Sequence, residues 1–96
     1  MTARILIIDD DEDTRALLRS FVEAEGYVSH SAASGEEALL QLDSLIPDLI
    51  LLDAVMPGLD GFATCRLIKA RDATAHIPVI FMTGLSEPEH VVQGLE

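Results

Sequence analysis

The sequence has no tryptophan, one cysteine (Cys65), one lysine (Lys69), and only three phenylalanines and one tyrosine in 96 residues. A lone cysteine excludes an intrachain disulfide and fits a reducing, cytoplasmic setting. With aromatics at 4 %, the core must be built from Leu, Ile, Val and Ala, and a hydrophobic share of 49 % excludes a disordered tail. Long apolar runs are missing as well. Leu49–Leu52 and Val79–Met82 are four residues each, against the roughly 20 that span a membrane. The N-terminus carries no signal-peptide stretch. Positive charge is scarce: six Lys and Arg against 17 Asp and Glu give a net charge of −11. Such a chain repels nucleic acid and anionic membrane, so neither is expected as a direct partner, whereas cations and basic proteins are attracted. Five of the acids form one run, Asp9, Asp10, Asp11, Glu12 and Asp13.

What is present reads as one continuous domain over residues 1–96, with no linker, repeat or low-complexity tract. Arg4–Ile8 is a short apolar strand that stops at acids. Leu17, Leu18, Phe21 and Val22 fall at helical spacing between Asp13 and Glu25 and are expected to face the core, with Gly26 as the stop. Tyr27–Ser31 reads as a weaker strand. Ser34 and Glu37 form a capping box, followed by the stripe Ala38, Leu39, Leu42 and Leu45, which Pro47 ends. Leu49–Leu52 is apolar without alternation, as in a central parallel strand covered on both faces. Met56–Gly61 is a loop, and Phe62–Arg71 a helix with Phe62, Cys65, Ile68 and Leu67 as candidate inward residues. Ile77–Met82 is a fourth strand. Ser86 and Glu89 open a fourth helix carrying Val91, Val92 and Leu95. Strict β-α alternation implies an α/β domain with a parallel sheet and right-handed crossovers.

The chemistry collects at strand ends. Asp9 and Asp10 end the first strand, Asp53 the third and Thr83 the fourth. Ligands of open parallel sheets bind at the carboxyl ends of strands, where the strand order reverses. For an order 2-1-3-4 that point gathers Asp9, Asp10 and Asp53, with Thr83 beside them. Two carboxylates about 4 Å apart repel by about 4 kcal/mol at an effective dielectric of 20. Either one keeps its proton or a cation joins them. Mg²⁺ suits all-oxygen donors, and the lack of His or Cys at these ends argues against Zn²⁺. An Asp carboxylate beside such a cation can serve as a nucleophile toward phosphorus. The Thr83 hydroxyl can donate to a phosphate oxygen.

Three segments carry a resemblance: Ile5-Leu6-Ile7-Ile8-Asp9-Asp10-Asp11, Leu51-Leu52-Asp53-Ala54-Val55-Met56-Pro57-Gly58-Leu59-Asp60-Gly61, and Ile77-Pro78-Val79-Ile80-Phe81-Met82-Thr83-Gly84. Together they resemble the receiver domain of two-component response regulators, of the chemotaxis-receiver type. The resemblance implies a flavodoxin-like doubly wound sheet of order 2-1-3-4. It implies that Asp53 accepts a phosphoryl group from a histidine kinase or a histidine phosphotransfer protein, and that the domain then regulates an output domain or protein target. It also implies that Asp10 binds Mg²⁺ with Asp9 beside it, that Asp53 and the Val55 backbone carbonyl complete the metal site, and that Thr83 bonds the phosphoryl group and reports it by reorienting. Such domains are signalling modules and not turnover enzymes. They continue through a fifth strand that ends in a lysine, and a fifth helix. Neither is expected within these 96 residues, so the domain reads as C-terminally incomplete.

Blander readings cover the remaining residues. Asp11, Glu12 and Asp13 suit a helix N-terminus, Cys65 suits the core, and His30, His76 and His90 are scattered. An Asp-nucleophile phosphatase would carry a second Asp where Val55 stands, and no Gly-x-Gly-x-x-Gly follows the first strand. The competing reading is a receiver-fold interaction module that works without phosphorylation. A bare, apolar fourth strand is expected to be a template for self-association.

Overall fold

The computed structural model describes residues 2–82. Seven elements follow one another: β1 (Arg4–Ile8), α1 (Glu12–Ala24), β2 (Val28–Ala32), α2 (Gly35–Gln41), β3 (Leu49–Asp53), α3 (Gly61–Lys69) and β4 (Val79–Met82). The strands form one parallel sheet in the order β2-β1-β3-β4. This is the doubly wound, flavodoxin-like order expected, and the chain reverses direction across the sheet between β1 and β3. The fourth helix expected after Ser86 lies outside the described residues. No helix among the described residues is long and apolar enough to cross a membrane.

The central strands are apolar on both faces because both faces are covered. Leu6, Ile8, Ile50 and Leu52 pack with Ala38 on α2, Leu42 at its C-terminal end and Ile68 on α3. Ile5 and Ile7 pack with Val22 of α1, with Leu18, Leu49 and Leu51 around them. Each fully buried Leu or Ile contributes about 1.5–3 kcal/mol over the exposed state, so these two layers are the main source of stability.

Helix starts follow the sequence closely. Asp11 caps α1, its carboxylate accepting from the Thr14 N–H at 2.9 Å. Ser34 caps α2 by accepting from the Glu37 N–H at 3.0 Å, while the Glu37 carboxylate reaches back to the Ala33 N–H at 2.7 Å. Asp60 caps α3 through the Ala63 N–H at 2.8 Å. Gly26 follows α1 with φ +89°, a left-handed turn that an L side chain would strain.

Several boundaries and faces differ from expectation. α1 turns Leu18 and Val22 inward, whereas Leu17 is 46 % and Phe21 61 % exposed. Each lies one residue, and so about 100° around the helix, away from the buried pair. α2 stops at Gln41, and the stripe is carried on by turns. Leu42 N–H donates to the Ala38 carbonyl and Leu45 N–H to that of Gln41, so Leu42 stays buried while Asp43 and Ser44 leave the helix. These short polar residues favour turns over helix interiors. On α3 the buried polar residue is Thr64, its hydroxyl bonded to the Asp60 carbonyl at 2.8 Å. Phe62 is partly exposed and lies against Phe81 of β4 with ring centroids 4.8 Å apart, and Leu67 faces outward. β4 starts at Val79. Ile77 is buried, but its N–H is turned back to the Thr74 carbonyl, and Pro78 has no N–H to offer the ladder.

Candidate functional site

β1 and β3 run side by side in parallel, Ile8 opposite Leu52, so both end at the same edge of the sheet. The residues that follow are Asp9 and Asp10 on one strand and Asp53 on the other. Each offers one carboxylate oxygen, and these three atoms lie within 4.8 Å of one another. Asp9 is 6 % and Asp53 8 % exposed, and Asp10 opens to solvent.

The turn after β1 is tightly bonded. The Asp9 N–H donates to the Ala32 carbonyl of β2 at 3.1 Å. The Asp9 carboxylate accepts from the Asp11 N–H at 2.8 Å, and the Asp9 carbonyl accepts from the Arg15 guanidinium at 2.7 Å. On the facing strand, the Asp53 carboxylate accepts from the Val55 N–H at 3.1 Å. Gly61 N–H donates to the Ala54 carbonyl at 3.2 Å, which closes the loop between β3 and α3. β4 joins the site edge through the Ala54 N–H, which donates to the Met82 carbonyl at 3.0 Å.

Burial and mutual repulsion mark the acids electrostatically. Burial raises the Asp53 carboxyl to about 6, and the charges of Asp9 and Asp10 add to that, against the opposing hydrogen bond from Val55. Asp9 is also pushed above the ordinary aspartate value, first by burial, while the bond from the Asp11 N–H pulls the other way. Asp11 shifts down because Thr14 donates both its hydroxyl and its N–H to it. A group of carboxylates that resists ionisation together is one that a divalent cation would relieve.

Of the expected site residues, Asp9, Asp10 and Asp53 are brought together. Val55 stands two residues beyond Asp53, is 76 % exposed, and its N–H holds the Asp53 carboxylate. Thr83 lies outside the described residues. Lys69, the only lysine, spends its ammonium group elsewhere, donating to the Ala75 carbonyl at 3.1 Å and the Ile77 carbonyl at 2.5 Å. Arg15 was not singled out by its place in the sequence. The available signal was its position on the first turns of α1, close behind the acid run.

An open parallel α/β sheet with three carboxylates at its switch point defines the class as a doubly wound domain with an acidic cluster at the carboxyl edge of its strands. The sequence profile of the response regulator receiver domain matches residues 5–96. The chain belongs to this family, the receiver domains of two-component systems. It is 45 % identical over 96 residues to the response regulator PleD of Caulobacter vibrioides, covering all of this chain and 21 % of that protein. It is 42 % identical over 93 residues to the transcriptional regulatory protein ResD of Bacillus subtilis, covering 97 % of this chain and 38 % of that protein. The chain thus spans less than half the length of these curated relatives. Among solved structures, the chemotaxis protein CheY4 of Vibrio cholerae superposes with a TM-score of 0.85 at 27 % identity, over 94 % of this chain and 75 % of that one. The N-terminal domain of a response regulator receiver protein from Methanoculleus marisnigri does so with a TM-score of 0.81 at 35 % identity, over 94 % and 77 %.

Proposed function

We propose that this chain accepts a phosphoryl group on Asp53 from a phosphohistidine donor, a histidine kinase or a histidine phosphotransfer protein, and thereby regulates an output domain or partner. The observation that carries this reading is the convergence of the Asp9, Asp10 and Asp53 carboxylates, with Asp53 buried as the last residue of β3. An oxygen of Asp53 attacks phosphorus, the P–N bond of the donor breaks as the P–O bond forms, and the departing imidazole takes a proton from solvent. Burial leaves Asp53 few water contacts to give up on the way to that attack.

The donor set fits Mg²⁺, because all three groups are carboxylates and one of them faces solvent. Asp9, Asp10, Asp53 and the Val55 carbonyl would hold the ion, and its charge would offset repulsion between the acids and the incoming phosphoryl oxygens. Thr83 is proposed to donate its hydroxyl to the phosphoryl group and to reorient when the group arrives.

Asp10→Asn should weaken Mg²⁺ binding about tenfold or more in isothermal titration, since it removes one of the charges that favour the ion. Unchanged affinity would take Asp10 out of the site. The reading as a whole is tested by incubating the chain with Mg²⁺ and a small-molecule phosphodonor such as phosphoramidate and measuring intact mass. One added phosphoryl group, lost in Asp53→Asn, supports it. A folded chain that never gains mass supports instead the interaction module that works without phosphorylation. Association through the outer edge of β4 is a second proposal, resting on the apolar run Val79–Met82. Light scattering at micromolar concentration should then show a dimer or larger species, and a stable monomer would refute it.

A further inference from the structure

We infer that Arg15 is a positioning residue for the metal site, an inference that rests on the reading of Asp10 as a Mg²⁺ ligand. The argument starts from the peptide that joins Asp9 to Asp10. Its carbonyl belongs to Asp9 and its N–H to Asp10, and the unit is planar. Whatever holds that carbonyl therefore sets the plane from which Asp10 departs, and so where the Asp10 carboxylate is presented. The Arg15 guanidinium holds it, with Nη1 2.7 Å from the Asp9 carbonyl oxygen in a half-buried setting.

The flanking groups on Asp9 and Asp11 are bonded as well. The Asp9 N–H is bonded to β2 and the Asp9 carboxylate to the Asp11 N–H. Asp11 is tied to Thr14 by two bonds, at 2.9 Å and 2.6 Å, and its carbonyl accepts the Arg15 N–H at 3.0 Å. Arg15 is thus anchored by its own backbone to the turn that its side chain restrains. The Asp9–Asp10 peptide would otherwise be the loose link between β1 and α1. A guanidinium suits this task because it is planar, permanently charged, and reaches the carbonyl from one turn into the helix.

The effect on metal binding separates this role from a simple charge effect. As a mere cation beside an acidic cluster, Arg15 would repel Mg²⁺, and its removal would tighten binding. As the residue that aims Asp10, its removal loosens binding even though the site becomes more negative. The test is isothermal titration of Mg²⁺ into the 96-residue chain, its Arg15→Gln variant and the Asp10→Asn variant at one pH and ionic strength. Arg15→Gln should raise the Mg²⁺ Kd at least fivefold, while thermal melts in metal-free buffer show a folded chain. An unchanged or lower Kd in Arg15→Gln would overturn the inference and leave the metal site standing. If Arg15→Gln fails to fold, Arg15→Lys decides: it keeps the charge but loses the planar fork. A Kd raised threefold or more supports positioning, and an unchanged Kd overturns it. Absence of Mg²⁺ binding by the parent chain would overturn the reading of the site itself, and this inference with it.

Discussion

Asp53→Asn is expected to stabilise the fold at neutral pH while abolishing phosphoryl acceptance. The two effects share one cause. Asp53 is buried against Asp9 and Asp10, and its carboxyl is raised to about 6, so at neutral pH the folded chain carries an ionised group it would rather keep protonated. The unfolded chain releases that proton near the ordinary aspartate value of 3.8. Between those two values the folded state binds more protons, so stability falls as pH rises from about 4 to about 6 and is then level. A raised carboxyl of this size corresponds to a penalty on the order of 2–3 kcal/mol above pH 6. Asparagine has nearly the same shape and no charge, so urea denaturation at pH 7 without metal should show a higher midpoint for Asp53→Asn than for the parent, and near equality at pH 4. Millimolar Mg²⁺ should close the gap at pH 7 by stabilising the parent alone. An equal or lower midpoint for the variant at pH 7 would contradict the electrostatic account. Retained phosphorylation would contradict the assignment of the acceptor.

Gly61→Ala should have the opposite sign and a similar size. A Cβ at position 61 would overlap the Asp53 carbonyl oxygen and lie 2.7 Å from the Ala54 Cα and 2.9 Å from the Asp53 carbonyl carbon. Every atom it meets is backbone, so no side chain can rotate out of its way. Relief requires α3 to lift from the end of β3. Overpacking of this kind costs about 1–3 kcal/mol, which for a domain of this size lowers the melting temperature by roughly 5–20 °C. The strand end that moves is the one that presents Asp53. Whatever fraction stays folded should also bind Mg²⁺ more weakly than the parent in the same titration. An unchanged melting temperature would show that the loop closes without this contact.

How much of this was legible before any coordinates depends on the physical range of each signal. β-α alternation implies a parallel sheet whose strands all end at one edge, but that Asp9, Asp10 and Asp53 meet there follows only from the order 2-1-3-4, which the family resemblance implies. Asp11, Ser34 and Asp60 sit where caps or turns belong, and capping is a matter of three or four residues. The inward face of α1 was only half legible. Periodicity marks Leu17, Leu18, Phe21 and Val22 as one apolar stripe, but which two meet the sheet depends on the packing angle of the helix, which spacing along the chain does not carry. Hydrophobicity alone ranks Phe62 above Thr64 for the inward face of α3. The helix instead buries the smaller residue, whose hydroxyl finds a backbone carbonyl, and leaves the ring against Phe81. The tight seat of Gly61 and the reach of Arg15 to the Asp9 carbonyl depend on contacts that exist only once α1 and α3 have docked.

The pairing of β1 with β3 also has a meaning for how the chain folds. Ile5 lies opposite Leu49, and the chain between them carries α1, β2 and α2. Closure of a loop that long has to be paid in entropy before any contact rewards it, which makes parallel topologies slow to form. The acids stand at the very tip of that long-range pairing. Their repulsion is therefore felt as the strands come together and is absent from the open chain. Protonation or a divalent ion would then act on the route to the native state as well as on its depth. A domain whose acidic cluster sits at the most sequence-distant strand pairing among its described residues would couple its ionic surroundings to the speed with which it assembles.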